Sequence, residues 1–223
     1  MQANLLRLIL FRIRCTLEVC NEKQILSIST SDDTVSLGGE NMAKKLRFKF
    51  SAEKFANAVA YLSEQCPHST KLTICKQLYF ADKQHLVRYG RPITGDHYWR
   101  LEHGQIPTRG LNMLRSKAAP HENALLQRFV SVNGNSVQLK QQANRKVFSK
   151  SDLEVLNWVI EKYGRVSATR LRQMAHDEPS CTDEMGPIDY ALFFEGVKGA
   201  EAVKELAESE QESRDLLRPY AAR

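Results

Sequence analysis

The sequence predicts a mainly helical fold with a small β element, of the α+β class, arranged as a compact helical domain with one β-hairpin and a short strand. Apolar residues recur at spacings of three and four after residue 50, which is typical of amphipathic helices. Asn133-Gly134 separates two β-type runs, and the stretch 97–101 alternates and contains adjacent aromatic residues. The chain has 223 residues, 42% of them apolar, which suits one folded domain with appendages.

Residues 1–41 are predicted to be an N-terminal extension. Arginines interrupt their apolar run, so the longest uncharged apolar stretch is Leu8–Phe11. A membrane span needs about 18 such residues, and no signal-peptide cleavage pattern follows. Met42 then opens a sequence typical of a cytosolic start. We therefore expect a cytoplasmic protein without membrane association, whose functional chain begins at Met42.

Two helices are predicted at the start of the domain. Ser51 can cap the first, which ends at Pro67, and the second begins at Ser69 or Thr70 and closes at Gly90.

Asp82 lies on the apolar stripe of the second helix, four residues before Leu86. A carboxylate at such a position needs hydrogen-bond donors. A structural role, in which Asp82 accepts hydrogen bonds from backbone amides of a nearby loop, is favoured over contact with a partner.

The elbow, residues 90–108, contains the residue types of an active-site loop and also those of a chain reversal. Its stretch HYWRL is predicted to be a short strand, HGQIP a second turn, and Leu111 and Leu114 indicate a short helix after it. The residues expected to act as structural turn devices are Gly90, Pro92, Gly95, Gly104 and Pro107.

The second half of the chain begins with the predicted hairpin at 129–139. Ser151 and Glu154 have capping-box spacing for a helix ending at Gly164, and Ser167 can cap the next helix, which Pro179 stops. The stretch PIDYALFFEGV is predicted to be another apolar helix. Residues 198–223 read as a charged helical tail, exposed and frayed at its ends.

The charge of the chain is concentrated in its middle. The net charge is +6, and residues 1–41 and 198–223 each sum to −1, which leaves +8 for residues 42–197. Such a body favours acidic partners, either nucleic acid or an acidic protein surface. The five cysteines form no C-x-x-C pair, which fits reduced cytosolic thiols.

Signatures of catalysis are missing from the sequence. It contains no phosphate-binding glycine loop, no nucleophile elbow and no H-E-x-x-H pattern. His85, His97 and His103 are spaced by twelve and six residues, which matches no standard set of metal ligands. We therefore expect a protein that is not an enzyme and that uses no cofactor or metal.

Residues 151–178 have the size of a helix-turn-helix unit. Arg165, Arg170 and Arg172 are its candidate nucleic-acid contacts. Two helices joined by a glycine turn are also common in helical domains without DNA-binding activity. A DNA-binding regulator is the alternative function.

Three segments together resemble the Panacea antitoxin domain, the family of SocA-like, phage-associated proteins of prokaryotes. They are KQLYFAD at 76–82, GRPITGDHYWRLEHGQIP at 90–107, and the long stretch at 151–179. The resemblance covers about 53–195, most of the predicted domain at 42–197. Three departures are Gln105 for a favoured proline, Gln77 for a usual leucine, and Ser180 where an aromatic residue is common.

The resemblance implies an antitoxin that neutralises a cognate toxin by direct protein–protein binding. It also implies that some members act as adaptors to an ATP-dependent protease. Inward packing of Trp99 is the favoured alternative to partner contact. The candidate partner-binding residues are Tyr79, Asp82, Asp96, Tyr98, Trp99, His103 and His176.

Overall fold

The fold is described by a computed structural model, which covers residues 45–66, 68–102, 104–181 and 184–217. The predicted N-terminal extension, Pro67 and His103 lie outside these ranges. In chain order the helices are α1 (Ala52–Gln65), α2 (Lys71–Tyr89), α3 (Thr108–Leu114), α4 (Pro120–Phe129), α5 (Lys150–Tyr163), α6 (Ala168–His176) and α7 (Glu201–Leu217). The strands are β1 (Tyr98–Leu101), β2 (Gly104–Pro107), β3 (Val130–Asn133), β4 (Ser136–Leu139) and β5 (Gly186–Pro187). The predicted mainly helical α+β class is confirmed.

Helix α2 lies at the centre of the fold. The side chain of Thr70 accepts a hydrogen bond from the Thr73 amide and closes a capping box, and the helix ends at Gly90. Its residues 74–82 are all buried, including Lys76 and Gln77. Helices α5, α6 and α7 and strand β2 all pack against it.

Helix α1 packs beside α2, with Ser51 at its N-cap as predicted. The Ser51 hydroxyl accepts a hydrogen bond from the Lys54 amide at 3.2 Å. Phe55, Val59 and Leu62 have no exposed surface, so the predicted apolar stripe is buried.

A three-stranded antiparallel sheet in the order β2-β1-β5 forms the first β element. Residues 104–107, predicted to be a turn, are strand β2, whose Ile106 pairs with Trp99. That prediction was wrong because Gly104 and Pro107 delimit a strand of only four residues, which is too short to show an alternating pattern. On the other side of β1, Trp99 also pairs with Pro187 of β5.

The predicted hairpin at 129–139 is confirmed as β3 and β4, whose end residues Asn133 and Ser136 are paired. It is fastened to the start of α2. The Val137 amide donates to the Ser69 carbonyl, and the Lys71 amide donates to the Asn135 carbonyl, both at 2.9 Å.

Helix α5 begins two residues earlier than predicted. Ser149, and not Ser151, is the N-cap, and it forms the capping box with Asp152 instead of Glu154. Both pairs have the same spacing, but Asp152 is buried whereas Glu154 is exposed. The Asp152 carboxylate also accepts from Lys54 Nζ at 2.6 Å and Arg91 Nη2 at 3.0 Å. The capping box at Ser149 and Asp152 therefore connects the start of α5 to Lys54 and Arg91.

The C-terminal part differs from the prediction in two ways. The stretch PIDYALFFEGV contains a short 3₁₀ helix, Tyr190–Phe194, instead of an α-helix. The Asp189 side chain caps its start, and Gly196, with positive φ, turns the chain two residues beyond its end, so the helix stays short. Helix α7 is not wholly exposed, since Ala207 and Gln211 are buried. Gln211 Oε1 accepts from the Arg47 amide at 3.3 Å.

Buried aromatic rings join the sheet to α2 and to the 3₁₀ helix. Tyr98 meets Tyr79, Tyr190 and Phe193 with ring centroids 5.5 to 6.0 Å apart. Such edge-on contacts add to the free energy of apolar burial. Among the described residues, no helix is both long and apolar enough to cross a bilayer.

Candidate partner-binding site

Asp82 holds the first turn of the elbow against α2. Its Oδ1 accepts hydrogen bonds from the amides of Ile93 and Thr94, each at 2.9 Å. Its Oδ2 accepts from the Thr94 hydroxyl and, at 2.9 Å, from the Tyr98 hydroxyl. Burial raises the pKa of Asp82, and these hydrogen bonds oppose that shift. The predicted hydrogen bonds from loop amides to this carboxylate are confirmed.

Asp96 holds the far end of the elbow by capping α3. The helix begins after Pro107, whose side chain cannot cap it. Asp96 instead reaches across and accepts from the Arg109 amide at 2.9 Å and the Gly110 amide at 2.7 Å. Burial raises the pKa of Asp96 to about 7, while the two amide bonds act to lower it.

Two glycines fix the path of the backbone in the elbow. Gly95 has φ +68°, and a Cβ there would lie 2.5 Å from the Lys49 carbonyl oxygen. Gly104 has φ +78°, and a Cβ there would lie 3.0 Å from Lys76 Nζ and 3.3 Å from the His176 ring. Left-handed backbone and close approach both require glycine at these positions. Pro92 is buried within the elbow, and Gly90 ends α2, so these predicted devices also lie where the chain reverses.

Lys76 is a structural residue that the sequence analysis missed. Its side chain is fully buried, and Nζ donates to the Gln105 carbonyl at 2.9 Å. Burial lowers the pKa of Lys76 to about 8. A lysine directly after Cys75 in a buried run of α2 was the available signal. The hydrogen bond from Lys76 connects β2 to α2, and the His176 ring of α6 lies close to the same end of β2.

Four of the seven candidate partner-binding residues are almost fully buried, namely Tyr79, Asp82, Asp96 and Tyr98. Their polar atoms bond within the protein, as when the Tyr79 hydroxyl meets Ser180 Oγ at 2.6 Å. In this structure they position the elbow and present no surface to a partner. His176 is half-buried, and its Nδ1 lies 3.8 Å from Cys181 Sγ.

Trp99 keeps more exposed surface than its neighbours Tyr98 and Ile106. It is half-buried, while its neighbour Tyr98 fills the core. Beside it on the sheet are Ile106 and Pro187. Met185, which the sequence analysis also missed, immediately precedes β5 and is 66% exposed. We call Trp99, Leu101, Met185 and Pro187 the β1 surface.

The three departures from the family pattern are all buried. Ser180 bonds Tyr79, as described above, so a hydroxyl replaces aromatic packing there. Gln77 Nε2 lies 3.5 Å from the Tyr163 carbonyl. Gln105 supplies the carbonyl that Lys76 bonds, while its side-chain amide has no hydrogen-bond partner within the described part of the chain.

The candidate nucleic-acid residues are spread along the loop before α6 and along the helix itself. Arg165 and Arg170 are exposed. Arg172 is half-buried, with Nη2 3.4 Å from the Glu102 carbonyl. Leu171 and Ala175 are buried, so one side of this short helix is committed to the core.

His85 is placed as a structural residue, because Nδ1 lies 2.6 Å from the Arg91 carbonyl and Nε2 lies 3.1 Å from Asp152 Oδ1. His97 is exposed. Within the described ranges, no three histidine, cysteine or acidic side chains come together as a metal site.

Residues 74–181 match the model of a family described as the antitoxin SocA-like Panacea domain. The match is shorter than the expected 53–195. It begins inside α2, contains the whole elbow, and ends just beyond α6. Neither the curated proteins nor the solved structures contain a significant match to the chain.

Proposed function

We propose that the protein is the antitoxin of a toxin–antitoxin system, because residues 74–181 match the model of the antitoxin SocA-like Panacea domain. It neutralises a cognate toxin by direct protein–protein binding. The observation that carries the proposal is this family match over the segment that holds the elbow. The buried contacts of Lys76, Asp82 and Asp96 support it, since they fix the strand that bears Trp99.

Binding without catalysis is part of the proposal. The Asp82 carboxylate accepts four hydrogen bonds from the protein itself, and Asp96 accepts two from the start of α3. Carboxylates used in this way serve rigidity better than proton transfer. The β1 surface supports recognition, because it combines the half-buried Trp99 of β1 with the exposed Met185 next to β5, and large side chains of this kind are typical of interface hot spots.

The family resemblance also supports a finer proposal, in which the antitoxin delivers its toxin to an ATP-dependent protease in the cytoplasm. The free thiols of Cys66, Cys75 and Cys181 are compatible with a reducing compartment. The measurement is the half-life of the toxin with and without this protein, in cells with and without the protease. Equal half-lives in all four conditions would leave direct binding as the whole mechanism.

The proposed function is tested by expressing the small open reading frame next to this gene, alone and together with the full chain. We expect growth arrest alone, rescue on co-expression, and a complex that can be purified. Absence of toxicity or of complex formation would refute the proposal. A titration with duplex DNA at two salt concentrations tests the alternative, since tight binding that weakens steeply with salt favours a regulator.

A further inference from the structure

The net charge of a basic segment, residues 104–150, exceeds the net charge of the whole chain, which is +6. The segment contains eight Lys and Arg residues and one acidic residue, Glu122, for a net charge of +7 (8 − 1). Glu122 is already paired with Arg109, whose Nη2 lies 2.7 Å from Oε1. The remaining basic residues are Arg115, Lys117, Arg128, Lys140, Arg145, Lys146 and Lys150.

The basic segment also forms a groove between α3, α4 and β3. The groove has a volume of about 240 Å³. Its apolar lining comes from Met113, Leu126, Val130 and Val132, with Lys140 at one side. Lys117 and Arg128 directly follow two further lining residues in sequence, and both are exposed. The groove therefore combines a small apolar floor with Lys140, whose Nζ donates to the Gln127 carbonyl at 2.6 Å, and with two exposed cationic residues that adjoin its lining in sequence.

One wall of this groove is the open edge of a strand. Because Asn133 and Ser136 flank a two-residue turn and pair, the alternation of an antiparallel ladder turns the amide and carbonyl of Val132 away from β4. The opposite edge of the hairpin is occupied by residues 69–71. In the described part of the chain, no hydrogen bond from outside the hairpin reaches Val132. Its two polar groups are thus available to an incoming strand.

Ser116, on the other side of the groove, has an unusual backbone. Its φ is +55°, a left-handed conformation, and among the described residues no other non-glycine residue has positive φ. Such conformations cost free energy and concentrate at ligand-binding sites. Ser116 lines the groove and is exposed.

We propose that an extended, acidic segment of the toxin docks in this groove and adds a strand to the edge of β3. The inference rests on the proposed function. Val132 supplies main-chain hydrogen bonds, the apolar floor accepts one or two side chains, and Lys117, Arg128 and Lys140 attract the acidic ones. A narrow groove beside a single strand edge fits a peptide better than a duplex, whose phosphates need a broader basic surface.

The first test is amide hydrogen exchange at residues 130–133 in the full chain, alone and in complex with the product of the adjacent reading frame. In the isolated chain, we expect the Val132 amide to exchange rapidly. In the complex, we expect its exchange to slow by about tenfold or more, since the amide gains a partner. Unchanged exchange in the complex, or slow exchange already in the isolated chain, would overturn the inference.

The second test uses matched charge reversals. Lys140→Glu at the groove should weaken the complex by about tenfold, whereas Lys146→Glu, which changes net charge equally but lies outside the groove, should weaken it by less than about threefold. Equal losses would indicate general attraction and contradict the proposal. Thermal melts check that both variants fold, and the exchange measurement on the unaltered chain stands if one does not.

The outcomes separate the two proposals. A complex that forms without protection of Val132 refutes only the strand addition. No complex with the unaltered chain refutes the proposed function and, with it, this inference.

Discussion

Asp82 ties the turn at 92–95 to the middle of α2 through four accepted hydrogen bonds. Two come from the amides of Ile93 and Thr94, which would otherwise be buried donors without a partner. The carboxylate therefore supplies the hydrogen-bond acceptors that the buried amides of this turn need.

The substitution Asp82→Asn should lower the free energy of unfolding by about 2 to 4 kcal/mol, because one acceptor oxygen becomes a donor that faces other donors. Chemical denaturation measures this loss. The matched control is Glu154→Gln, which changes an exposed carboxylate that accepts from Arg88 and Tyr89. It should change the free energy of unfolding by less than about 0.5 kcal/mol. Equal effects of the two substitutions would contradict the structural role of Asp82.

Gly95→Ala should destabilise the fold by more than about 2 kcal/mol, since left-handed strain and a contact with the Lys49 carbonyl add together. Gly199→Ala is its control. Gly199 has φ +77° but no atom within 4 Å of the added Cβ, so it should cost only about 1 to 2 kcal/mol. The difference between the two melting temperatures isolates the contact. A zero difference would show that the turn relaxes without cost.

Helix α3 depends on an aspartate outside itself, which makes its stability dependent on pH. Burial raises the pKa of Asp96 from 3.8 in the unfolded chain to about 7 in the fold. Between these values the folded state binds more protons than the unfolded state, so the free energy of unfolding should fall as pH rises. The contribution of one such group is up to about 1.4 kcal/mol per pH unit.

Asp96→Asn removes this titration, so its stability should fall less steeply than that of the parent protein between pH 4 and 7. Urea denaturation at several pH values gives both slopes. The variant is also expected to be less stable at every pH because it loses one acceptor for the α3 amides. Parallel slopes would show that Asp96 does not titrate in this range.

Much of the element pattern could be predicted because it depends on neighbours in sequence. Ser51 and Ser167 cap their helices as predicted, and Thr70 is one of the two residues predicted to start α2, since a cap bonds amides only two or three residues away. The cap at Ser149 was missed because Ser151 has an equivalent spacing. The choice between them is made by Lys54 and Arg91, which are distant in sequence.

The candidate site was harder to predict for the same reason. That Asp82 needed donors followed from its place on an apolar stripe, but the burial of Asp96 could not be read from the elbow alone. Asp96 caps a helix thirteen residues away, and Lys76 meets a carbonyl twenty-nine residues away. Such contacts arise only once α2, the elbow and α3 are packed together.

The two edges of the sheet β2-β1-β5 differ in the polar groups that they offer to a further strand. The Gln105 carbonyl at the β2 edge is covered by Lys76 of α2. At the other edge, Ile188 donates to the Tyr98 carbonyl at 2.8 Å, which by alternation turns Pro187 outward. Proline has no amide hydrogen to offer to a further strand. The sheet is therefore suited to side-chain recognition through the β1 surface, whereas the hairpin β3–β4 keeps an open edge.

This division of the surface predicts the behaviour of Trp99. Trp99→Ala should weaken toxin binding by about tenfold or more, because a large, rigidly held aromatic side chain is lost from the β1 surface. The melting temperature should fall by only about 2 to 4 °C, since Trp99 is half-buried and Tyr98 retains its place in the core.

Two further variants complete the comparison. Met185→Ala should also weaken binding, with no measurable change in the melt, because Met185 is 66% exposed beside β5. Leu206→Ala is the control, since Leu206 is 56% exposed but lies on α7. It should leave both quantities unchanged. Calorimetric titration against the purified toxin and a thermal melt of each variant give the two numbers. A Trp99→Ala variant that melts far earlier, with binding intact below its melting temperature, would make Trp99 a core residue and remove the β1 surface from the interface.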